Sequence, residues 1–182
     1  IAFTGMPWAG KTEAVSIARE MGLPVIRMGD LVWEEVEKQG LEVNSENVAR
    51  IAEEMRKQYG RDIWAKKTME KIQKEEIGET AVVIDGIRSI EEVDCFKSYF
   101  KQDFIIVAIT ASDEIRRNRA IKRGRKDDTT NLEEIIRREE REKKWGLPRV
   151  IQEADYTIPN EGSLELFKEE MRKLLQEILS KR

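Results

Sequence analysis

The 182 residues are enough to bury a full core in one domain, and no run approaches the roughly 18 apolar residues a membrane-spanning helix needs. The 33 lysines and arginines against 36 aspartates and glutamates leave a net charge of −3, which argues against a generic nucleic-acid binder while leaving room for local basic patches. One cysteine, Cys95, excludes an internal disulfide, and the absence of histidine removes the usual neutral-pH base and the commonest metal ligand.

In chain order, Ile1-Ala2-Phe3-Thr4 is apolar and partly β-branched and reads as a buried strand. It runs into Gly5-Met6-Pro7-Trp8-Ala9-Gly10-Lys11-Thr12, the spacing of a P-loop. Gly5 and Gly10 permit turns and close approach that a Cβ would block. The amides from Met6 to Lys11 can curl around a phosphate, and a helix opening near Lys11, Thr12 and Glu13 favours an anion at its N-terminus. Lys11 is placed to reach β- and γ-phosphates, and Thr12 to put its hydroxyl on Mg²⁺. A plain glycine-rich strand-to-helix turn is the alternative, but the apolar face Ala14, Ile17, Ala18 and Met21 supplies the amphipathic helix the motif requires.

Pro24 to Met28 reads as a second strand, followed by a helix from Asp30 to Lys38. Asp30 is either that helix's N-cap or an acid at an acceptor site. An alcohol acceptor profits from a positioned carboxylate, whereas a phosphate oxygen is already ionised and needs none. Asn44 or Ser45 caps a helix through Tyr59, and Asp62 another through about Glu75. Arg27, Arg56 and Arg61 lie where an acceptor would dock; Arg61, following Gly60, is the preferred choice, with surface charges as the alternative.

A third strand, 80–85, ends in Asp85-Gly86-Ile87-Arg88. An acid closing an apolar strand suits Mg²⁺ or its water shell, Gly86 allows a ligand to approach, and Arg88 suits an acceptor phosphate. Helices are expected near 89–99 and 112–123, around a strand at 103–110. The segment 116–126 carries seven basic residues and no acid; Arg116, Arg119 and Arg123 share one helical face, and Arg123 and Arg125 flank Gly124. A polar loop and a charged helix from about Leu132, with Arg137, Arg138 and Arg141, complete what reads as a lid able to fold over phosphates. A solvated helical hairpin and an RNA-binding surface are the rivals; the second lacks interleaved aromatics. Residues 154–160 form a last strand, Asn160 and Gly162 mark a turn suited to cradle a purine, and Ser163 caps a closing helix from Leu164 to Leu179. Strands alternating with helices predict a parallel sheet covered on both faces, with the polar candidates gathered at the strands' carboxyl ends.

Over its whole length the chain resembles the nucleoside monophosphate kinase group of P-loop kinases. It is most similar to dephospho-CoA kinase and to an archaeal family related to dephospho-CoA kinase and adenylate kinase. "GMPWAGKT" matches the P-loop, "MGDLVWE" is similar to the "GDLLR" of adenylate kinases, and "DGIRS" to their "DGFPR". "RGRKDD…RR" looks like their lid, and "ADYTIPNEGSLE" like the adenine-contacting end of dephospho-CoA kinases. The departures are the missing proline in "DGIRS", Asp30 in "MGD" rather than "DAD", a lid without cysteines and hence without zinc, and a 39–62 stretch that matches neither kinase.

The resemblance implies a three-layer α/β P-loop NTPase fold: a five-stranded parallel sheet of order 2-3-1-4-5 in a single domain, 1–182, with a helical acceptor-binding insertion around 30–75 and a lid around 122–138. It implies a kinase with ATP as donor, Mg²⁺ as cofactor and a nucleotide or nucleotide-like acceptor. Lys11, Asp30, Arg88, Arg123, Arg125 and Arg137 would carry catalysis. Gly5 to Glu13, Arg119, Asn160 and Gly162 would hold the donor; Asp30, Arg61, Gly86 and Arg88 the acceptor; Thr12 and Asp85 the metal. A nucleotide-hydrolysing or sensing module, possibly linked to RNA, is the alternative in which the acceptor is water or absent. A cytoplasmic protein, monomeric or homodimeric, is expected, with residues preceding Ile1. The charged fraction of 38% suits a heat-adapted source or simply ordinary solvated helix faces.

Overall fold

The computed structural model describes residues 1–77, 81–122 and 131–181. Five short strands, β1 (Ala2–Thr4), β2 (Val25–Arg27), β3 (Val83–Asp85), β4 (Ile106–Thr110) and β5 (Tyr156–Pro159), form one sheet in the order β2-β3-β1-β4-β5, with every pair parallel. This is the predicted strand order. Phe3 of β1 lies opposite Asp85 of β3 and Val107 of β4, so the ends of the central strands are level and the loops that follow them emerge side by side.

Alternation along the strands divides the core. Ala2, Ile26, Ile84 and Ile106 face one cluster; Phe3, Val83, Val107 and Ile109 face the other. The second cluster is closed by α1 (Lys11–Glu20), through Ala14, Ile17 and Ala18, and by α9 (Leu164–Ser180), through Phe167, Met171 and Leu175. The first is covered by α2 (Met28–Lys38), α3 (Ser45–Tyr59), α4 (Ile63–Lys74), α5 (Ile90–Phe100) and a one-and-a-half-turn helix, α8 (Leu147–Gln152). Trp64, 1% exposed, anchors α4 there and donates its Nε1–H to the Ala52 carbonyl at 3.3 Å, which satisfies the one polar group its burial would orphan. The remaining helices, α6 (Asp113–Lys122) and α7 (Leu132–Trp145), pack against Trp8 of the loop after β1 through Ala120 and Ile135.

The local signals were largely sound. Asn44, Ser89 and Ser163 cap α3, α5 and α9 through their side chains. The strands are shorter than the apolar runs: residues 101–103, read partly as strand, form a 3-10 turn, and β4 starts at Ile106. Asp30 is not an N-cap, because α2 starts at Met28 and places Asp30 in its first turn. The turn at 146 was not foreseen as a helix boundary; Gly146 at φ 97 ends α7 and starts α8. Residues 123–130 of the expected lid lie outside the described residues. Among the described residues, no helix is long and apolar enough to cross a membrane.

Gly5 is the joint between β1 and the loop that follows. Its φ is +147, and a Cβ there would stand 2.2 Å from the Ile109 carbonyl oxygen of β4. Two backbones meet, so no side chain can yield. Gly5→Ala is therefore expected to lower the melting temperature by about 5–15 °C. Gly29→Ala serves as control, since a Cβ on that helical glycine meets nothing within 4 Å. A change no larger than the control's, read by circular dichroism, would contradict the assignment.

Candidate functional site

The loop from Gly5 to Gly10 lies at the carboxyl edge of the sheet, between β1 and the N-terminus of α1. Its shape rests on three positive-φ positions, Gly5, Trp8 (φ 62) and Gly10 (φ 110), and on side chains that hold its carbonyls from behind. Arg116 Nη1 donates to the Pro7 carbonyl at 3.2 Å. The Ala9 carbonyl accepts from Asn160 Nδ2 at 2.9 Å and Arg119 Nη1 at 3.3 Å. Arg119 Nη2 also donates to the Asn160 carbonyl at 2.8 Å, closing a small ring of bonds. With these carbonyls turned outward, the Trp8 and Gly10 amides donate to no backbone carbonyl among the described residues. That is the geometry of an anion nest. Lys11 Nζ folds over the loop and donates to the Gly5 carbonyl at 2.6 Å and the Met6 carbonyl at 3.2 Å.

The loop borders a small cavity of about 110 Å³, lined by Gly5, Pro7, Trp8, Gly10, Lys11 and Thr12 on one side and by Asp85, Gly86, Arg88, Arg138 and Glu142 on the other. Beside it opens a larger cleft of about 530 Å³, walled by α2, α3 and α7. Arg27, Gly29, Gly86, Arg88 and Arg138 line both, so the two spaces share a wall that carries three arginines.

Asp85 ends β3 at that wall, its side chain 13% exposed. Its Oδ2 is 3.8 Å from Arg27 Nε, while its buried Oδ1 has no hydrogen-bond partner among the described residues. Burial raises its pKa above the usual carboxylate range, opposed by the charges of Lys11, Arg27 and Arg88. A buried carboxylate oxygen without a donor, on a residue that lines the same small cavity as Thr12 and the phosphate loop, fits a hard cation with oxygen ligands. Among the described residues there is no group of three or more carboxylate, cysteine or histidine side chains, so phosphate oxygens and water would complete such a shell.

Arginines dominate the larger cleft. Arg88 pairs with Glu142, which is 2% exposed at its side chain. Arg56, 7% exposed, pairs with Glu92 at 3.3 Å and stacks 4.2 Å from the centre of the Trp145 ring. Arg138 lies 5.1 Å from the Trp8 ring centre, which ties α7 to the phosphate loop. Burial first, then Arg138 and Arg56, push the Arg88 pKa down to about 9. The same causes, in the same order, lower that of Arg141.

The structure distributes the expected site residues unevenly. Gly5, Pro7, Trp8, Gly10, Lys11, Thr12, Asp85, Gly86 and Arg88 meet around the smaller cavity, and Arg137 lines the larger cleft. Met6, Ala9 and Glu13 belong to the loop and helix start without lining either space. Arg119 and Asn160 stand behind the loop as supports; Asn160 is 5% exposed and its amide is engaged with Ala9. Gly162 sits in the exposed turn before α9. Asp30 lines neither space; it is 43% exposed and pairs with Arg27 at 3.3 Å. Arg61 is displaced from the expected acceptor position. It reaches outward to Glu91 at 3.0 Å and the Trp145 carbonyl at 3.2 Å, while Arg56, one turn earlier on α3, faces the cleft. Arg123 and Arg125 lie outside the described residues. Sequence reasoning did not single out Glu142, which lines the smaller cavity. Its only signal was a place one helical turn beyond Arg138, on a helix dense in charge.

Comparisons with known proteins agree with this geometry. Residues 4–136 match the family model of an AAA domain. The chain is 43% identical over 179 residues to the UPF0200 protein of Methanosarcina mazei, covering 98% of this chain and 95% of that one. It is 43% identical over 175 residues to the UPF0200/UPF0201 protein of Archaeoglobus fulgidus, of which it spans only 54%. Among solved structures, TT1252 from Thermus thermophilus superposes with a TM-score of 0.64 at 19% identity, covering 97% of this chain and 95% of that one. Shikimate kinase from Aquifex aeolicus superposes with a TM-score of 0.52 at 18% identity, covering 98% and 95%. The fold is that of P-loop kinases, and the chain belongs to the UPF0200 family, with its phosphate loop inside the AAA-domain match.

Proposed function

We propose that this protein is an ATP-dependent phosphotransferase acting on a nucleotide or nucleotide-like acceptor, of the nucleoside monophosphate kinase or dephospho-CoA kinase type. The supporting observation is the shared wall: a phosphate-loop cavity and a larger arginine-lined cleft adjoin across Arg27, Arg88 and Arg138. A hydrolase needs only the first space. A second, cationic space opening on the same wall suits an anionic acceptor beside the γ-phosphate.

In this reading Lys11 leaves the loop carbonyls to follow the transferring phosphoryl group, and the loop amides hold the donor phosphates. Thr12 and Asp85 would hold Mg²⁺, which would supply positive charge to offset that of the donor phosphates. Arg88 and Arg138 neutralise charge where the two substrates meet, joined by Arg137 and by Arg123 and Arg125 of the lid at 122–138. Gly86 leaves room for the acceptor. Arg119 and Asn160 hold the donor loop from behind. The acceptor oxygen forms a bond to the γ-phosphorus as the bond to the β,γ-bridging oxygen breaks, and ADP leaves.

Asp30 faces Arg27 rather than the cleft, so its role is to hold Arg27 rather than to accept a proton. That favours an acceptor whose attacking oxygen is already ionised, a phosphate, since such a group requires no base.

The test is ADP release from MgATP against nucleoside and deoxynucleoside 5′-monophosphates, dephospho-CoA, nucleosides and no acceptor. One phosphate-bearing acceptor is expected to raise turnover by about 10³-fold or more, and Lys11→Ala to remove about 10²–10³ of that rate. A slow basal rate that no acceptor changes would overturn the proposal.

Asp85 gives an independent check without turnover. Its raised pKa means that the folded chain binds the proton more tightly than the unfolded one. The ionised group therefore costs stability at neutral pH, and that cost fades as pH falls toward the ordinary value of about 3.9. Asp85→Asn is expected to raise the nucleotide-free melting temperature at pH 7, with the gain shrinking on acidification. The same variant should lose most of the stabilisation given by Mg²⁺ with a non-hydrolysable ATP analogue. A variant less stable than wild type at pH 7, yet still stabilised by the metal–nucleotide pair, would contradict the metal assignment.

A further inference from the structure

The larger cleft is lined by six arginines against three glutamates, and Asp30 and Glu142, which do not line it, pair with Arg27 and Arg88. A single acceptor phosphate at the shared wall would engage Arg27, Arg88 and Arg138. It would not explain Arg56 and Arg141, which line the cleft but not the phosphate-loop cavity.

These two converge with Arg88 on one indole ring. The guanidinium centres of Arg56, Arg141 and Arg88 lie 4.2, 5.5 and 5.6 Å from the centre of Trp145. The ring is fixed by its Nε1–H donating to Glu53 at 2.8 Å. Three guanidiniums around one ring repel one another, and the counter-charges do not cancel them. Glu92 is engaged with Arg56 and the Arg88 amide, and Glu142 with Arg88; among the described residues Arg141 forms no ion pair.

Two donors here are also unmatched. Among the described residues, the buried Nε atoms of Arg56 and Arg141 have no hydrogen-bond partner, and Arg56 is only 7% exposed. A buried donor left without an acceptor is costly, more so on a charged group. Arg56 and Arg141 lining one cleft wall beside one indole face, where arginines outnumber glutamates, describe an anion site.

We propose that the Arg56–Arg141–Trp145 end of the cleft binds a second anionic group of the acceptor, a phosphate group other than the one at the shared wall. The substrate class is thereby narrowed from a nucleoside monophosphate to a nucleotide carrying two phosphate groups. This rests on the reading of the cleft as the acceptor site.

Equilibrium binding tests it, with the phosphate loop saturated by Mg²⁺ and a non-hydrolysable ATP analogue. For adenosine, guanosine, cytidine and uridine, the 5′-monophosphate is titrated against the 5′-diphosphate and the 3′,5′-bisphosphate by calorimetry. At least one doubly phosphorylated ligand is expected to bind about 10-fold or more tighter than its monophosphate, and Arg141→Gln to cut that advantage below about 3-fold. Arg141→Lys, which keeps the charge but not the planar fork, should retain an intermediate advantage, separating a binding role from damage to packing. No advantage in any series, or one that survives Arg141→Gln, would overturn the proposal. No turnover is read, so a protein that binds in this way yet transfers phosphate to nothing would refute the phosphotransferase reading alone.

Discussion

The site depends on carbonyls held away from it. A P-loop can offer its amides to phosphate only if the neighbouring carbonyls point elsewhere and find partners there. Here Arg116 takes the Pro7 carbonyl, and Asn160 with Arg119 takes that of Ala9. Arg116 is itself fixed by Glu139 of α7 at 2.7 Å, a pair almost wholly buried on both sides. Breaking such a pair by removing one partner typically costs about 3–5 kcal/mol. The bonds therefore do more than shape a loop. They join β5, α6 and α7 to the phosphate cradle, and Trp8, packed with Ala120 and Ile135 and stacked on Arg138, joins them a second time.

This arrangement also explains where Gly10 must be. A Cβ at that position would stand 2.0 Å from the Asn160 amide nitrogen, so the glycine and the asparagine are one feature read at two places 150 residues apart. The sequence displays both residues and conceals the connection. Asn160 looks like a turn residue open to a ligand because its neighbours Glu161 and Gly162 are; only the register of β5 against β4, with Pro159 beside Thr110, brings its side chain under the loop. The strand order, the caps and the phosphate loop were legible because each is set by local chemistry: apolar runs, Asn and Ser before helices, glycines at fixed spacing. The acceptor cleft was less so. On α3, Arg56 and Arg61 look alike in sequence, but α3 ends at Tyr59 and the break at Gly60 (φ 101) sends Arg61 outward. Helical phase decided the matter, and it could be read only once the facing elements were known. Glu142 was hidden for a related reason, since a helix this rich in charge shows no obvious buried face.

Two like-charged groups brought close raise each other's energy unless something opposite lies between them. Four arginines of the cleft, at positions 56, 88, 138 and 141, act on one another in this sense, and burial adds to it. Across the wall Asp85 shows the complementary imbalance, a buried carboxylate oxygen with no donor. A molecule that offers anionic groups to the arginines and a cation to Asp85 would relieve both at once. A metal–nucleotide with an anionic acceptor beside it is such a combination.

The central claim is that donor and acceptor phosphates meet across Arg27, Arg88 and Arg138. It is tested most directly by one molecule long enough to occupy both spaces, two nucleosides joined by five phosphates, compared with ADP by calorimetry in the presence of Mg²⁺. If the spaces are one continuous phosphate track, the bridging compound binds about 100-fold or more tighter than ADP, and Arg88→Gln removes most of that gain. Affinity equal to that of ADP would mean that the two spaces do not bind as a unit, and would contradict the account.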